Sequence, residues 1–593
     1  MDAAELTPQQ VFATRQLLDE VVKRLPASMI ESLDRDITVQ WRNDLPAQVH
    51  GRALAKRVLL DQSLLENWMA RPAADDVDPR TDAATRAAYA AVIHELAHFH
   101  DRTRAGNLSG DPRFLDLAGF QVSPMRFGLR NPRNAFSDRS PDVYELTRPA
   151  EFAAVNLEYF LLDPAYACRR PALHRHLVAH FKWAPPQDTC TPGLVYLRAG
   201  NESVDSPLLE LDPARVYAVD YLLAEGNDQV MSRWGHSMLR MVICAPDRMP
   251  GPDCRLDLQY HQVLSFRAFV DDLQLSSWRG LTGSYPSRLF VLPLQQVIDE
   301  YTKVELRGLQ SIPLRLDVAE IAGLLEHAAQ LHWSYDGRYY FVSNNCAVET
   351  FKLLHDGVPR LAEESLASIT PTGLLRRLQR SGIADVSVLD DPPEALRLGY
   401  RFDSMSKRYQ AMFDVVRTSL PLPQTRMQDW LDLPAAERAV WMPQADLRTS
   451  AALLVLEQAA MRRQELLARD ELKRRLPGSA ANARSDSAGS DSLAIIPVLQ
   501  EFLALEGFLS RPAQLIPGTG YGLPQRQERA LLMSEARVRA MDLSERGVAL
   551  RAVGRRLLPS EQREALEDIE SNIDRLGQRL RLLHGQQDGL HLH

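Results

Sequence analysis

The sequence lacks long runs of hydrophobic residues and long runs of basic residues, and each absence argues against a class of function. No apolar stretch approaches the roughly 20 residues of a membrane-spanning helix, so we expect no transmembrane segment, and any association with a membrane would be at its surface. The net charge is -8 and basic residues are dispersed, so nucleic acid is not an expected partner. Internal repeats and a signal-peptide pattern after Met1 are also absent, and we expect that an export signal was removed from this sequence.

Cysteine is scarce, and its spacing is informative. The chain has five cysteines, and the short separations of Cys168 from Cys190 and of Cys244 from Cys254 allow two local disulfides, with Cys346 left over. Paired cysteines favour an oxidising compartment, so we predict a periplasmic or otherwise exported protein. The alternative is five free thiols in a cytosolic protein.

The length predicts more than one domain. A chain of 593 residues is too long for a single hydrophobic core, whereas its 45% hydrophobic and 25% charged residues are ordinary for globular protein. Helical and strand periodicities alternate along the chain, which predicts an α+β multidomain fold. We predict domains at residues 1–190, 191–390 and 391–593, of which the last is helical with a small, polar, flexible linker at about 477–492.

The most specific motif is His94-Glu95-x-x-His98 in an alanine-rich helical segment that Thr81 or Asp82 can cap. Residues four apart share one face of a helix, so both imidazoles can reach one Zn²⁺ ion. Glu95 lies one position further round, where it can take a proton from a water molecule that the ion activates. A chance occurrence of the motif is the alternative.

A catalytic zinc ion needs a third protein ligand, and the sequence offers Glu151. Pro149 suits a first helical turn, in which Glu151 would lie. Residues 37–41 and 57–60 are predicted as short strands, and an edge strand beside the motif helix would hold an extended peptide by main-chain hydrogen bonds.

A helical HExxH motif followed by a Glu-Phe-x-Ala helix resembles the gluzincin metallopeptidases, in particular the Mlc titration factor A aminopeptidases and the catalytic domain of anthrax lethal factor. The resemblance implies a zincin-like domain that binds Zn²⁺ and acts on peptides or proteins. It makes His94, His98 and Glu151 the zinc ligands and Glu95 the general base.

The same resemblance assigns supporting roles to two further residues. Tyr144 stands seven residues before Glu151 and would donate a hydrogen bond to the oxyanion. Asp101 matches an acidic position after the second histidine and would support a metal-bound imidazole. The sequence departs from lethal factor at Val155, where that protein has a second glutamate.

From Val195 onward the pattern changes to alternation, which predicts strands at residues 215–222, 237–245, 258–266 and 288–294, followed by a helix that Asp317 begins. A second candidate site lies in this region. Cys346 begins a helix after two asparagines, where unpaired amides and the helix dipole favour thiolate and can form an oxyanion hole.

A cysteine nucleophile needs a base, and the candidate is His236 at the start of a strand, with His261 as the residue that orients it. Pattern alone favours a packing role for Cys346. The Gly235-His236-Ser237 and Asn344-Asn345-Cys346 segments, however, resemble the periplasmic N-terminal domain of Lnb, a bacterial lipoprotein N-acyltransferase, and permuted papain-like folds. This resemblance covers roughly residues 195–390 and implies Cys346 as nucleophile and His236 as base.

These patterns together predict an envelope hydrolase with a zinc peptidase-like site and a second thiol site for acyl transfer or amide hydrolysis. One alternative is an acyltransferase that acts on lipoproteins or lipids and uses the zinc module as an accessory. Another is a non-enzymatic scaffold for envelope assembly that works through its C-terminal helices. Metal content and thiol reactivity distinguish these alternatives, and the sequence predicts no oligomeric state.

Overall fold

The fold is α+β, as the sequence predicts, with helices around three sheets in the part of the chain that the structure describes. The structure is a computed structural model that describes residues 2, 6–33, 36–46, 49–71, 82–123, 129–199, 206–226, 233–268, 285–341, 343–475, 511–516, 518 and 520–586. The predicted linker at 477–492 and the candidate helix cap Thr81 lie outside these residues. None of the described helices is both long and apolar enough to cross a membrane.

The N-terminal part pairs a small sheet with helices. Its strands are β1 (Thr38–Arg42), β2 (Gly51–Ala53) and β3 (Arg57–Asp61), in the order β1-β3-β2, with β1 and β3 parallel and β2 antiparallel to β3. Its helices are α1 (Pro8–Val22), α2 (Ala27–Ser32), α3 (Gln62–Met69), α4 (Ala83–Asp101), α5 (Pro112–Ala118), α6 (Pro149–Leu162), α7 (Tyr166–Arg169) and α8 (Pro171–Phe181). The two predicted strands are confirmed as β1 and β3, whereas the sequence analysis missed β2.

The middle part is built on a seven-stranded antiparallel sheet in the order β11-β9-β8-β7-β6-β10-β12, beside a β4-β5 hairpin. The strands are β4 (Leu194–Leu197), β5 (Leu208–Leu211), β6 (Val216–Ala224), β7 (His236–Ile243), β8 (Gln262–Ala268), β9 (Tyr285–Pro293), β10 (Leu309–Pro313), β11 (Gly337–Tyr339) and β12 (Arg401–Phe402). The helices are α9 (Leu294–Ile298), α10 (Val318–Ser334), α11 (Cys346–Gly357), α12 (Pro359–Ala362), α13 (Pro371–Arg380) and α14 (Pro392–Arg397). The four predicted strands correspond to β6–β9, and Asp317 caps α10 as predicted.

The C-terminal part is helical, as predicted. It contains α15 (Met405–Ser419), α16 (Met427–Leu431), α17 (Ala435–Ala439), α18 (Leu447–Arg475), α19 (Arg526–Leu557) and α20 (Ser560–Gln586). Helix α20 packs along α18, and Asn572 of α20 donates a buried hydrogen bond to the carbonyl of Ala435.

Three large hydrophobic cores correspond to the N-terminal, middle and C-terminal parts, but some core residues come from segments distant in sequence. The first core is drawn mainly from residues 13–181, the second mainly from 195–384 and the third mainly from 409–459. Tyr521 is buried in the first core although it is distant in sequence, and the neighbouring Leu523 is buried in the second. The segment before α19 therefore joins the first two cores. The predicted domain boundaries stay a prediction.

Both predicted disulfides are present, Cys168–Cys190 and Cys244–Cys254, and Cys346 is the one free cysteine. Cys190 is exposed at the end of the N-terminal part, whereas Cys244 and Cys254 are buried together beside the seven-stranded sheet.

Removing the disulfide that closes the longer loop, Cys168–Cys190, should destabilise the protein measurably. Cys168 and Cys190 are 22 residues apart, and opening that loop in the unfolded chain should lower the free energy of unfolding by about 2–4 kcal/mol. Urea denaturation of wild type and Cys168→Ser/Cys190→Ser measures the change, and mass mapping without reductant checks both pairings. Equal stabilities, or free thiols at all four positions in exported protein, would contradict this prediction.

Candidate functional site

Helix α4 presents the two motif histidines on one face. Asp82 begins the helix by accepting a hydrogen bond from the Thr85 amide at 2.8 Å, and an alanine-rich segment without glycine or proline carries it through His98. The rings of His94 and His98 are one turn apart, with centroids separated by 4.9 Å in an edge-to-face arrangement. Both imidazoles are mostly buried, so the helix holds them in a fixed orientation.

Helix α6 packs against α4 and brings Glu151 to the same point. Glu151 Oε2 lies 3.3 Å from His94 Nε2 and 3.2 Å from His98 Nε2, and one donor atom from each of the three residues falls within 4.8 Å of the others. Donors bound tetrahedrally at zinc distances are about 3.3 Å apart. These three residues therefore fit the ligands of one zinc ion.

The electrostatics of the cluster favour positive charge at its centre. Burial opposes protonation of His94, but hydrogen bonds with Glu151 and Glu158 outweigh it and raise the pKa of His94 to about 10. Burial alone would raise the pKa of Glu151, yet its contacts with His94 and His98 hold that pKa well below its usual range. A carboxylate that stays ionised between two imidazoles suits a bound cation.

Glu158 supports the site, and the sequence analysis missed it. Its Oε1 lies 2.6 Å from His94 Nδ1, which leaves Nε2 of the same ring directed at Glu151. A carboxylate on the far nitrogen fixes the tautomer of a metal-binding histidine. The available signal was spacing, because Glu158 follows Glu151 by seven residues and so returns to the same face of α6 after two turns.

The role predicted for Asp101 is not seen among the described contacts. Its carboxylate accepts hydrogen bonds from the amide of Ser109 at 2.8 Å and from the hydroxyl of Ser109 at 2.6 Å, so it anchors the loop that follows α4. Asp101 lies in the last turn of the helix, where it reaches this loop.

Glu95 is buried beside the three candidate ligands and is not one of them. Its side chain lies against Gly51 of strand β2, and Oε2 has no hydrogen-bond partner among the described residues. Burial raises the pKa of Glu95, and the nearby His94 and His98 oppose that change. A buried carboxylate oxygen without a partner is costly, so this position is unlike that of an ordinary buried glutamate.

Strand β2 and Tyr144 form the walls of this site. Strand β2 is at the edge of its sheet and packs on α4, and Arg102 of the motif region donates to the carbonyl of Ala53 at 3.2 Å. Tyr144 lies in a 3-10 turn, 48% exposed, with its ring centroid 6.1 Å from that of His94. The predicted hydrogen-bond donor is thus at the mouth of the cluster.

The thiol of Cys346 occupies the predicted place at the first turn of α11. Asn345 caps the helix by accepting from the amides of Ala347 and Val348, and the Cys346 amide donates to the Tyr339 hydroxyl at 3.2 Å. The predicted lowering of the Cys346 thiol pKa is not what this structure indicates. Burial raises the pKa of Cys346, although hydrogen bonds with Ser237 and Tyr339 partly oppose that rise.

The predicted base does not face this thiol. Ser237 contacts Cys346, and adjacent residues of a strand point to opposite faces of the sheet, so His236 points to the other face of β7. There the ring of His236 stacks on Tyr301, and its Nε2 lies 3.1 Å from Ser265 Oγ. Burial, with Arg267 and Arg307 nearby, lowers the pKa of His236 to about 3.

His261 is also separate from the thiol. It is fully buried just before β8, where its Nδ1 accepts from the Arg240 guanidinium at 2.9 Å and its Nε2 lies 2.9 Å from the Cys254 carbonyl. Burial and the charge of Arg240 lower its pKa to about 4. The predicted Cys346–His236–His261 arrangement is therefore not assembled in this structure.

The labelling rate of Cys346 tests this geometry. We expect iodoacetamide to label the folded protein more slowly than a free thiol, because burial disfavours the thiolate. The labelling rate plotted against pH should have its inflection above about 8.5, the usual pKa of a cysteine thiol. His236→Ala should leave the rate unchanged, whereas unfolding in urea should restore ordinary reactivity. Fast labelling near pH 7 that depends on His236 would contradict the arrangement.

Two family models match parts of the chain. Residues 1–107 and 104–190 match a domain of unknown function (DUF7844), which assigns no activity to the HExxH region. No curated protein and no solved structure gives a match. Residues 204–381 match the Lnb N-terminal periplasmic domain, which contains both His236 and Cys346. This part of the chain therefore corresponds to an Lnb N-terminal periplasmic domain and, with the two disulfides, indicates an envelope-associated, exported protein.

Proposed function

We propose that the protein is a metal-dependent hydrolase of the bacterial envelope that cleaves peptide bonds at the cluster of His94, His98 and Glu151. The observation that carries the proposal is the position of Glu151 Oε2, 3.3 Å and 3.2 Å from the two Nε2 atoms, beside a buried Glu95 oxygen without a partner among the described residues. Structural zinc sites bind four protein ligands, whereas catalytic sites use three and leave a position open.

The protein residues have distinct tasks in this proposal. A zinc ion held by the three ligands would supply Lewis acidity and make water acidic enough to react near neutral pH. Glu95 takes the proton of the attacking water and passes it to the leaving amine. Glu158 holds His94 in the tautomer that directs Nε2 at the ion. Tyr144, at the mouth of the cluster, donates a hydrogen bond to the oxyanion.

An extended peptide is the substrate that this site suits. Among the described residues no strand pairs with the outer edge of β2, which lies beside α4 and contacts the Glu95 side chain through Gly51. A substrate strand that pairs with this edge would pass over the catalytic carboxylate. An acidic or neutral peptide also matches the exposed Arg52 on β2 and Arg148 beside Glu151.

Acyl transfer or amide hydrolysis at Cys346 is the second candidate. The match to the Lnb N-terminal periplasmic domain favours it, as does the free thiol at the first turn of α11. Attack by Cys346 would form a thioester that water or an amine resolves. It needs a base on the Ser237 face of β7, which His236 does not provide in this structure.

Zinc content and hydrolysis test the main proposal. After loading with zinc and dialysis, His98→Ala should carry about one zinc ion per chain fewer than wild type and should lose peptidase activity on a fluorogenic peptide library. His174→Ala is a matched control, since His174 is a mostly buried histidine on α8 outside the cluster. Equal zinc content in wild type and His98→Ala would refute the proposal, and so would undiminished hydrolysis.

A further inference from the structure

A second group of metal-binding side chains lies where the N-terminal part meets the Lnb-like part. Asp116 of α5, together with His355 and Asp356 of α11, offers one donor atom each within 4.8 Å of the others. Asp116 and Asp356 are buried almost completely, and His355 is 8% exposed. His355 Nδ1 lies 2.7 Å from Asp356 Oδ1 and 3.9 Å from Asp116 Oδ1.

A fourth side chain, outside this group of three, faces Asp356 without a hydrogen-bond partner among the described residues. His327 of α10 is 2% exposed, and neither of its ring nitrogens has a hydrogen-bond partner among the described residues. Its Nε2 lies 4.0 Å from Asp356 Oδ2, which also lacks a hydrogen bond there. Buried polar atoms are nearly always satisfied, so an imidazole and a carboxylate oxygen that face each other across 4.0 Å indicate a missing partner.

The backbone is built to bring these residues together. Helices α10 and α11 approach closely at Gly357, where an added Cβ would lie 2.9 Å from Leu324 Cδ1 and 3.5 Å from His327 Cβ. His355 and Asp356 lie in the last turn of α11, and the C-terminal end of a helix dipole attracts cations. Glycine at position 357 therefore permits the approach that sets His327 opposite Asp356.

Two arginines hold the Asp116 carboxylate and the main chain at Asp356 in place. Arg130 donates to Asp116 Oδ1 at 2.6 Å, and Arg113 donates to the Asp356 carbonyl. Both arginines belong to the N-terminal part, so they orient donors from both sides of the junction. Arg113 and His327 also line a groove of about 410 Å³ between the two parts.

We propose that Asp116, His327, His355 and Asp356 bind one divalent transition-metal ion, such as zinc, that fastens the N-terminal part to the Lnb-like part. Two imidazoles and two carboxylates form a mixed nitrogen and oxygen donor set of the kind that zinc accepts. Because Asp116 comes from one part and the other three ligands from the other, ion binding requires that the parts be docked. This site is separate from the His94 cluster and does not depend on the proposed peptidase activity.

The test uses the full-length His94→Ala/His98→Ala chain as parent, so that zinc at the first cluster does not interfere. After loading with Zn²⁺ and dialysis against metal-free buffer, the parent should retain about one zinc ion per chain by mass spectrometry. Addition of His327→Gln and Asp356→Asn should abolish retention. His176→Ala should keep it, because His176 lines the same groove but lies 3.4 Å from Asp111 instead.

A second measurement guards against misfolded variants. Asp116→Asn keeps an oxygen that can accept from Arg130. In the presence of a chelator this variant should unfold at the same temperature as the parent. Added Zn²⁺ should raise the unfolding temperature of the parent but not that of the variant. X-ray absorption spectroscopy of the parent at the zinc edge should show nitrogen and oxygen ligands at about 2.0–2.1 Å from the zinc ion. A parent that retains no zinc, or an Asp116→Asn chain that Zn²⁺ stabilises as much as the parent, would overturn the proposal. The difference in zinc content between the wild type and the parent measures binding at the His94 cluster separately.

Discussion

Glu95→Gln should keep the metal ion and lower kcat for peptide hydrolysis by about 10²- to 10⁴-fold, the contribution of a general base. Glutamine has the same shape as glutamate but cannot accept the proton of the attacking water. The substitution should spare the ion because the three donors that converge are His94, His98 and Glu151, and Glu95 is not among them. The loss should appear in kcat with little change in KM, since β2 rather than Glu95 would bind the peptide.

The measurement pairs kinetics on a fluorogenic peptide with zinc content of the same sample. Glu66→Gln is the matched control, since Glu66 is an exposed residue of α3 and undergoes the same chemical change. It should retain full rate and full zinc. A Glu95→Gln protein that hydrolyses peptide at the wild-type rate would remove Glu95 from the mechanism, and hydrolysis that survives Glu95→Gln but is lost in Cys346→Ser would move the chemistry to the thiol.

The convergence of the two motif histidines was predictable because its geometry is mostly local. The separation of His94 and His98 by four residues places them on one face of any helix, and Pro149 predicts where the next helix begins. Glu158 was harder to assign, because its contact with His94 depends on how α6 crosses α4. Sequence spacing gives the face of a helix, whereas only packing gives its rotation and position relative to another helix.

The thiol site shows why the second constellation was not predictable. His236 and Ser237 are adjacent, and a shift of one residue decides which of them meets α11. Strand β7 is buried on both faces, so the pattern that predicts a strand does not show which of its faces meets α11. The motif correctly predicted a strand, and the family match supports the same region, but the pairing of Cys346 with Ser237 is a tertiary result.

The contribution of the C-terminal segment was likewise beyond sequence patterns. Glu528 at the start of α19 forms ion pairs with Arg139 and Arg169 of the N-terminal part, at 2.7 Å and 3.0 Å. Tyr521 enters the first core and donates to Asp163 at 2.8 Å. These residues are more than 300 positions apart in sequence, and periodicity within a segment carries no information about a partner at that distance.

Strand β2 supplies a further test, because it controls the position of Glu95. A Cβ atom added at Gly51 would lie 2.5 Å from Glu95 Oε1, 2.8 Å from its Cγ and 2.9 Å from its Cδ. The new methyl group would meet the end of the side chain along its length, so rotation of the carboxylate alone cannot relieve the overlap. Either the buried Glu95 must move or the edge strand must separate from α4, and both changes alter the distance between the base and the ligands.

Gly51→Ala should therefore lower kcat for peptide hydrolysis by about 10²-fold, the cost of a displacement of about 1 Å in a catalytic group. Zinc content should stay at the wild-type value, since Gly51 contacts Glu95 and none of the three candidate ligands. Gly577→Ala in α20 is the matched control: among the described residues no atom outside its own stretch of helix lies within 4 Å of the added Cβ, so activity should be unchanged. If Gly51→Ala turns over peptide as fast as Gly577→Ala, Glu95 is not held by β2 in the working enzyme. Loss of zinc from Gly51→Ala would instead show that the strand supports the ligands rather than the base.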